Sequence, residues 1–273
     1  MFALDKIEEL QQAKEDMKTV LEEKGVTVTD GAKIDEYPEL VENIGKGFSL
    51  KDYFEGTATS ITLPKGLTKI GDYAFFQWTN LSNVNLPDTV TSIDDYTFGT
   101  CQHLTFISLP NGLTSIGDYA FINCSKLALT SLPSGVTSIG NTAFSNCSNL
   151  ALTSLPSGIT SIGGSTFVEC SNLALTSLPS GLTSIGSSAF QNCSSLALTS
   201  LPSGVTSIGS YAFYSCTSLT TLTFEGTPKS IDSTAFRNCT NLKTINVPWA
   251  SGAVANAPWG ATNATINYNY MGG

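Results

Sequence analysis

From residue 57 to residue 248 the apolar positions return with one unvarying period. Pro64, Pro87, Pro110, Pro133, Pro156, Pro179 and Pro202 are spaced 23 residues apart; the next step falls on Glu225, inside FEGTPKSI, and the one after on Pro248. Phe75, Phe98, Phe121, Phe144, Phe167, Phe190, Phe213 and Phe236 keep the same spacing, as does the isoleucine series from Ile70 to Ile231. An array without one insertion or deletion means stacked coils, because each coil must present the same residues to its neighbours. Within a unit, LSNVNLP alternates like a strand, with Val84 and Leu86 on one side and Asn83 and Asn85 on the other. Proline ends that strand, and the glycine two positions later supplies a turn. VTSIG reads as a second short extended piece. DYAFFQW and NTAFSNC read as one helical or 3₁₀ turn that drops phenylalanine inward.

These elements predict a β-solenoid of the leucine-rich repeat kind, an α/β repeat wound as a right-handed superhelix from 23-residue coils, with an N-terminal helical cap and a C-terminal strand cap. Residues 1–47 form the helical segment, 48–248 the solenoid of about eight coils, and 249–273 the cap. Coils whose strands pair lie roughly 4.8 Å apart, which makes a rod about 40 Å long. The first helix is expected from about Ala3 to Lys24, with Gly25 past its end. Two arrangements fit it. It either folds back on Ile34, Leu40, Val41 and Ile44 as a hairpin, the favoured reading, or forms a coiled-coil stem that makes an oligomer. Phe48, Tyr53 and Phe54 are placed to cover the first coil. Trp249, Trp259, Ile266, Tyr268 and Tyr270 are expected to close the other end, where open strand edges would invite stacking. An aromatic patch for carbohydrate is the alternative for that stretch.

Charge narrows the partners. Only 13% of residues are charged, and residues 1–55 hold 14 of the 22 acids and 7 of the 13 bases. The solenoid must therefore stay wet through Ser, Thr and Asn. A net charge of −9 excludes phosphate-tracking nucleic-acid binding, which needs clustered Lys and Arg. No run approaches the ~18 apolar residues of a membrane span, so no membrane insertion is expected. The charged start MFALDKIEELQQAKEDMK is not a signal peptide. All seven cysteines, Cys101 to Cys239, occupy one repeat position, where Trp78 stands in the first coil. An odd count, no CxxC and the single His103 point to a column of buried free thiols rather than a disulfide ladder or metal row. No catalytic group, metal or cofactor is expected. His103 occupies a slot held by Asn80, Lys126 or Ser195 in other coils, and the NCS and NCT triplets are steps of the repeat.

The unit LTSLPSGVTSIGNTAFSNCSNLA resembles the BspA-like leucine-rich repeats of bacterial surface proteins, on its LP turn, I-G pair, AF and Cys, over about residues 57–248. The resemblance implies a non-enzymatic adhesion module, outside the cell, that binds a protein or glycan on a cell surface. Residues 1–46, with EEKGVTV and YPELVENI, and the end VPWASGAVANAPWGATNATINYNY resemble tail-associated proteins of phages and prophages. They imply a virion setting and a receptor-binding or structural role as the alternative.

Two surfaces are candidates for recognition. The middle coils read LALTSLP, so Thr130, Thr153, Thr176 and Thr199 take the inward position and Leu129, Leu152, Leu175 and Leu198 the outward one, with Phe106 before them. Taken literally, this exposes an apolar stripe suited to a partner or a second copy of the chain. A bulge that turns the leucines inward is the competing reading. The second candidate is Tyr73, Tyr96 and Tyr119, joined by Tyr211, beside Asp72, Asp95 and Asp118. Tyrosine gives contact area at little entropy cost, though such rings also pack along a rim.

Overall fold

The computed structural model describes residues 57–63 and 65–271. The expected N-terminal helix, its hairpin partners and Phe48, Tyr53 and Phe54 lie outside the described residues. The chain winds into a parallel β-solenoid of about 9 turns. Each coil has three sides: one that carries strands in the first and last coils, one that carries a short strand in each coil from Ile70 to Ile231, and a third of linked turns. One side carries Ser60–Thr62, Asn83–Asn85 and Phe106–Ser108 as one sheet, and Ser200–Leu201, Thr221–Phe224, Thr244–Asn246 and Thr265–Asn267 as another. The second side carries the Ser-Ile pairs in two sheets. One runs from Lys69–Ile70 to Ser138–Ile139, the other from Ser161–Ile162 to Ser230–Ile231. Every pairing is parallel, and Ile61 sits opposite Val84, Ile93 opposite Ile116 and Ile208 opposite Ile231. Each residue thus packs on its own equivalent 23 positions along the chain.

The third side corrects the expected helical or 3₁₀ turn. In the first described coil the N–H groups of Tyr73, Phe75 and Gln77 donate to the carbonyls of Asp95, Thr97 and Gly99 in the next coil. The alternate residues Phe76 and Trp78 bond back to Tyr73 and Phe75. Half the donors are therefore spent between coils, and no helix can propagate. The left-handed conformation at Tyr73 and Gln77 (φ 57° and 62°) aims the chain this way, and pairs four residues apart repeat it through Tyr211 and Ser215. Asparagine tolerates this conformation better than most residues, which accounts for Asn123, Asn146, Asn192 and Asn238 before cysteine. The glycine after isoleucine answers a different need. A Cβ on Gly209 would stand 2.6 Å from the Ser187 nitrogen, so that step leaves no room for a side chain, whereas the same slot holds Asp94 and Asp232 in two other coils.

Two columns fill the interior. The eight phenylalanines stack in single file with centroids 5.0 to 5.8 Å apart and rings within 14° of parallel. Beside them every cysteine is buried and free. Each thiol donates to the carbonyl of the phenylalanine in the preceding coil, Cys124 to Phe98 and Cys170 to Phe144 at 3.0 Å. Cysteine serves here as a small apolar filler whose one polar hydrogen has a partner. At the C-terminal end the Trp259 carbonyl accepts the Phe236 N–H at 2.9 Å, the bond that Ala235 accepts from Phe213 one coil earlier. Trp249 and Trp259 are buried against Phe224. They plug the core and form no carbohydrate-binding surface patch. Thr265–Asn267 adds the expected last strand on Thr244–Asn246.

Two outcomes follow from these columns. Phe167→Ala should cost roughly 3–5 kcal/mol, as for a fully buried ring whose neighbours are fixed by stacking, read from a shifted urea midpoint. Burial pushes all seven thiols up from their ordinary value of 9.0, Cys101 and Cys239 to about 12. Folding keeps protons that the unfolded chain releases above pH 9, so stability is full below about 9 and falls as pH climbs from 9 towards 12. Melts across that window should show a steady drop. Serine at Cys147 and Cys170 should flatten part of the slope.

Candidate recognition surfaces

Of the two readings of the LALTSLP segments, the structure has the one that turns the leucines inward, and the candidate apolar stripe does not exist. Leu152 and Leu175 are fully buried, Leu198 is 2% exposed, and Leu129 is half-buried against the core. Thr130, Thr153, Thr176 and Thr199 are exposed instead. The cause is the free energy of burial. Each leucine gains roughly 1.5–3 kcal/mol by leaving water, so the chain shifts its inward positions by one residue in these coils. That shift breaks the local alternation, and no strand is assigned between Phe106–Ser108 and Ser200–Leu201 on this side. Self-association through a leucine stripe is ruled out with it. Phe106 alone stays outside, 52% exposed at the last strand before the break, in register with Asn83.

The tyrosines do come together. Tyr73, Tyr96 and Tyr119 form a stack with centroids 4.7 and 4.4 Å apart and rings within 7° of parallel. Their left-handed backbone conformation points successive rings the same way. Phe76, which sequence reasoning passed over, meets Tyr73 and Tyr96 edge-on at 5.6 and 5.9 Å. Tyr211 stands apart with Tyr214, 5.7 Å away. All three stacked rings are half-buried. Burial pushes the Tyr96 hydroxyl up to about 12, aided by the neighbouring Tyr119 and Tyr73.

Beside the stack runs an open groove lined by Asp72, Asp94, Asp95 and Asp118 with Ile93, Ile116, Ser115 and Ser138. The acids are tied into the coils. Asp72 Oδ1 accepts the Asp95 N–H at 3.0 Å, Asp95 Oδ1 the Asp118 N–H at 2.7 Å, and Asp118 Oδ1 the Asn141 N–H at 2.6 Å. Asn141 continues the column to Gly164. Partial burial raises the Asp95 carboxyl, the Asp118 N–H opposes that shift, and the charges of Asp118, Asp72 and Asp94 add to it. Lys69 Nζ meets Asp94 at 2.7 Å on the rim. Asn141 was legible by spacing as the next member of the Asp72, Asp95 and Asp118 series, whereas Asp94 stands in the slot that Gly71 and Gly117 hold in the neighbouring coils.

The remaining reactive side chains are quiet. His103 is exposed, with Nδ1 2.7 Å from the Thr79 carbonyl. Among the described residues no three His, Cys, Asp or Glu are grouped to hold a metal ion, and no helix is long and apolar enough to cross a membrane.

Known structures share this architecture. A leucine-rich repeat protein from Bacteroides ovatus ATCC 8483 is 26% identical over 77% of this chain and 61% of its own, with a TM-score of 0.55. A leucine rich cell surface protein from Faecalibacterium prausnitzii A2-165 is 28% identical over 70% of this chain and 64% of its own, with a TM-score of 0.59. The chain thus spans under two thirds of the length of either protein. A search of curated proteins returns no match. The BspA type leucine rich repeat profile matches residues 50–174 and 161–254. With its repeat period, phenylalanine column and thiol column on the same residues, this chain belongs to the BspA type leucine-rich repeat family.

Proposed function

We propose that this chain is a non-enzymatic recognition module that acts outside the cell, on a bacterial surface or a virion, and holds a protein or glycan partner. The observation that carries this reading is the Tyr73, Tyr96 and Tyr119 stack. Rings fixed by their neighbours lose little freedom on binding, so contact area converts to affinity with a small entropy cost. The stack also distinguishes these coils from the rest of the array. Equivalent positions in the middle coils are Thr142, Ser165 and Ser188, so the first coils are decorated and the middle ones plain. Phe106 offers a second exposed ring from the neighbouring side of the coil.

Membership in a family of repeat proteins, and a cell-surface relative of the same architecture, support binding over turnover. The chemistry agrees. Burial holds the thiols protonated, and a protonated thiol is a poor nucleophile.

The test is a printed panel of glycans and extracellular-matrix proteins probed with the purified chain, with Tyr96→Ala/Tyr119→Ala, and with Phe106→Ala. Circular dichroism melts confirm that each variant folds. Loss of two anchoring rings should weaken capture by about tenfold or more. Phe106→Ala should give a smaller loss. A folded double variant that binds as the wild type does would remove the tyrosine stack from the account.

A further inference from the structure

The coils are not equally joined. From Thr91 onward a threonine column ties each coil to the one before. Thr114 and Thr137 donate their N–H groups to Thr91 and Thr114, and Thr183 and Thr206 to Thr160 and Thr183. Their hydroxyls double these bonds. A second column runs alongside: Gly140 N–H to the Ile116 carbonyl at 2.9 Å, and Gly186 N–H to Ile162 at 2.8 Å. Among the described residues both columns lapse at one place. Neither the N–H nor the hydroxyl of Thr160 reaches Thr137, and Gly163 N–H does not reach Ile139. Ser138–Ile139 and Ser161–Ile162 accordingly end two separate sheets. On the other strand side no strand forms at these coils, and the Ala151 N–H reaches the Leu129 carbonyl across the joint at 3.0 Å.

The interior records the same gap. Phe144 and Phe167 stand 5.8 Å apart, the widest step of the column, against 5.3 Å before it and 5.6 Å after. Only the turn side remains fully zipped, by Thr142, Phe144 and Asn146 donating to Gly164, Thr166 and Val168.

We infer that the solenoid is hinged between the coils of Ile139 and Ile162, where the Ser-Ile side is open, the opposite side is held without a strand pair, and the turn side serves as the pivot. Stability in a stacked array is close to a sum over neighbouring interfaces, so the array opens first at its weakest joint. The joint falls one coil beyond the last stacked tyrosine. It divides the decorated coils from the rest and lets the two parts tilt on a partner wider than either.

Three residues set this coil apart. Residues 157–166 (SGITSIGGST) differ from 180–189 (SGLTSIGSSA) only at Ile159, Gly164 and Thr166, and the latter segment pairs normally. Thr166 places a buried hydroxyl on the Gly140 and Gly163 carbonyls, where Ala143 and Ala189 place a methyl. Bulk alone is insufficient, since Thr97 does the same while Asp94 N–H still reaches Ile70. The seam adds Gly163-Gly164, which ends the Asx column and loosens the backbone where the ladder would start.

Amide exchange followed by NMR on the full chain tests the hinge through an amide that is bonded across it. The Ala151 amide, bonded to Leu129 across the joint and away from the pivot, should exchange at least tenfold faster than its equivalents Ala174 and Ala197. In the variant Ile159→Leu/Gly164→Ser/Thr166→Ala it should slow to within threefold of those equivalents. Equal protection in the wild type, or fast exchange that persists in the folded triple variant, overturns the inference.

Discussion

A residue in this molecule meets its own counterpart 23 positions away, and that self-matching contact governs everything else. Phenylalanine stacks on phenylalanine, isoleucine faces isoleucine across a parallel pair, and cysteine donates to the phenylalanine carbonyl one coil back. Because one coil cannot bury its apolar sides alone, the free energy of the fold resides at interfaces between coils. A period that slipped by one residue would put a side chain where its neighbour needs a gap, most severely at the Ile-Gly step, where coils approach within contact of the backbone.

The same constraint explains where polar groups survive inside. A column can hold a polar atom if the adjacent coil always supplies its partner. The thiol column, the Asx column and the threonine column each meet that condition through bonds 23 or 26 residues long. Where a column changes composition, its bond ends. Gly164 in place of Asp or Asn closes the Asx series. Variation along the array therefore has local and directional consequences: the first coils gain a tyrosine stack and an acidic groove, the middle ones a leucine-filled side without a ladder.

Much of this was legible in the sequence, for a physical reason. Columns need invariant spacing, so the phenylalanine file, the buried cysteines and the closing tryptophan residues could be placed by counting. The leucines at 152 and 175 could not. LALTSLP satisfies burial in either of two registers, and residue order left both open; the cost of leaving several leucines in water decided for the inward one. The turn side misled in another way. Apolar residues spaced as in DYAFFQW suit one turn of helix equally well, and only the inter-coil destination of alternate N–H groups excludes it. The tyrosine stack was visible as a set of positions, but its geometry depended on a left-handed backbone that the residue types do not announce.

The most direct measurement of the central claim compares two internal deletions by circular dichroism and urea unfolding. Removing residues 177–199 excises one whole period and joins Thr176 to Ser200, so every column closes again on its own kind. Removing residues 177–198 leaves the chain one residue out of step. The first variant should unfold cooperatively with stability near that of the parent, and the second should lose its cooperative transition. Equal behaviour of the two variants would contradict the idea that residue-on-residue matching between coils holds this protein together.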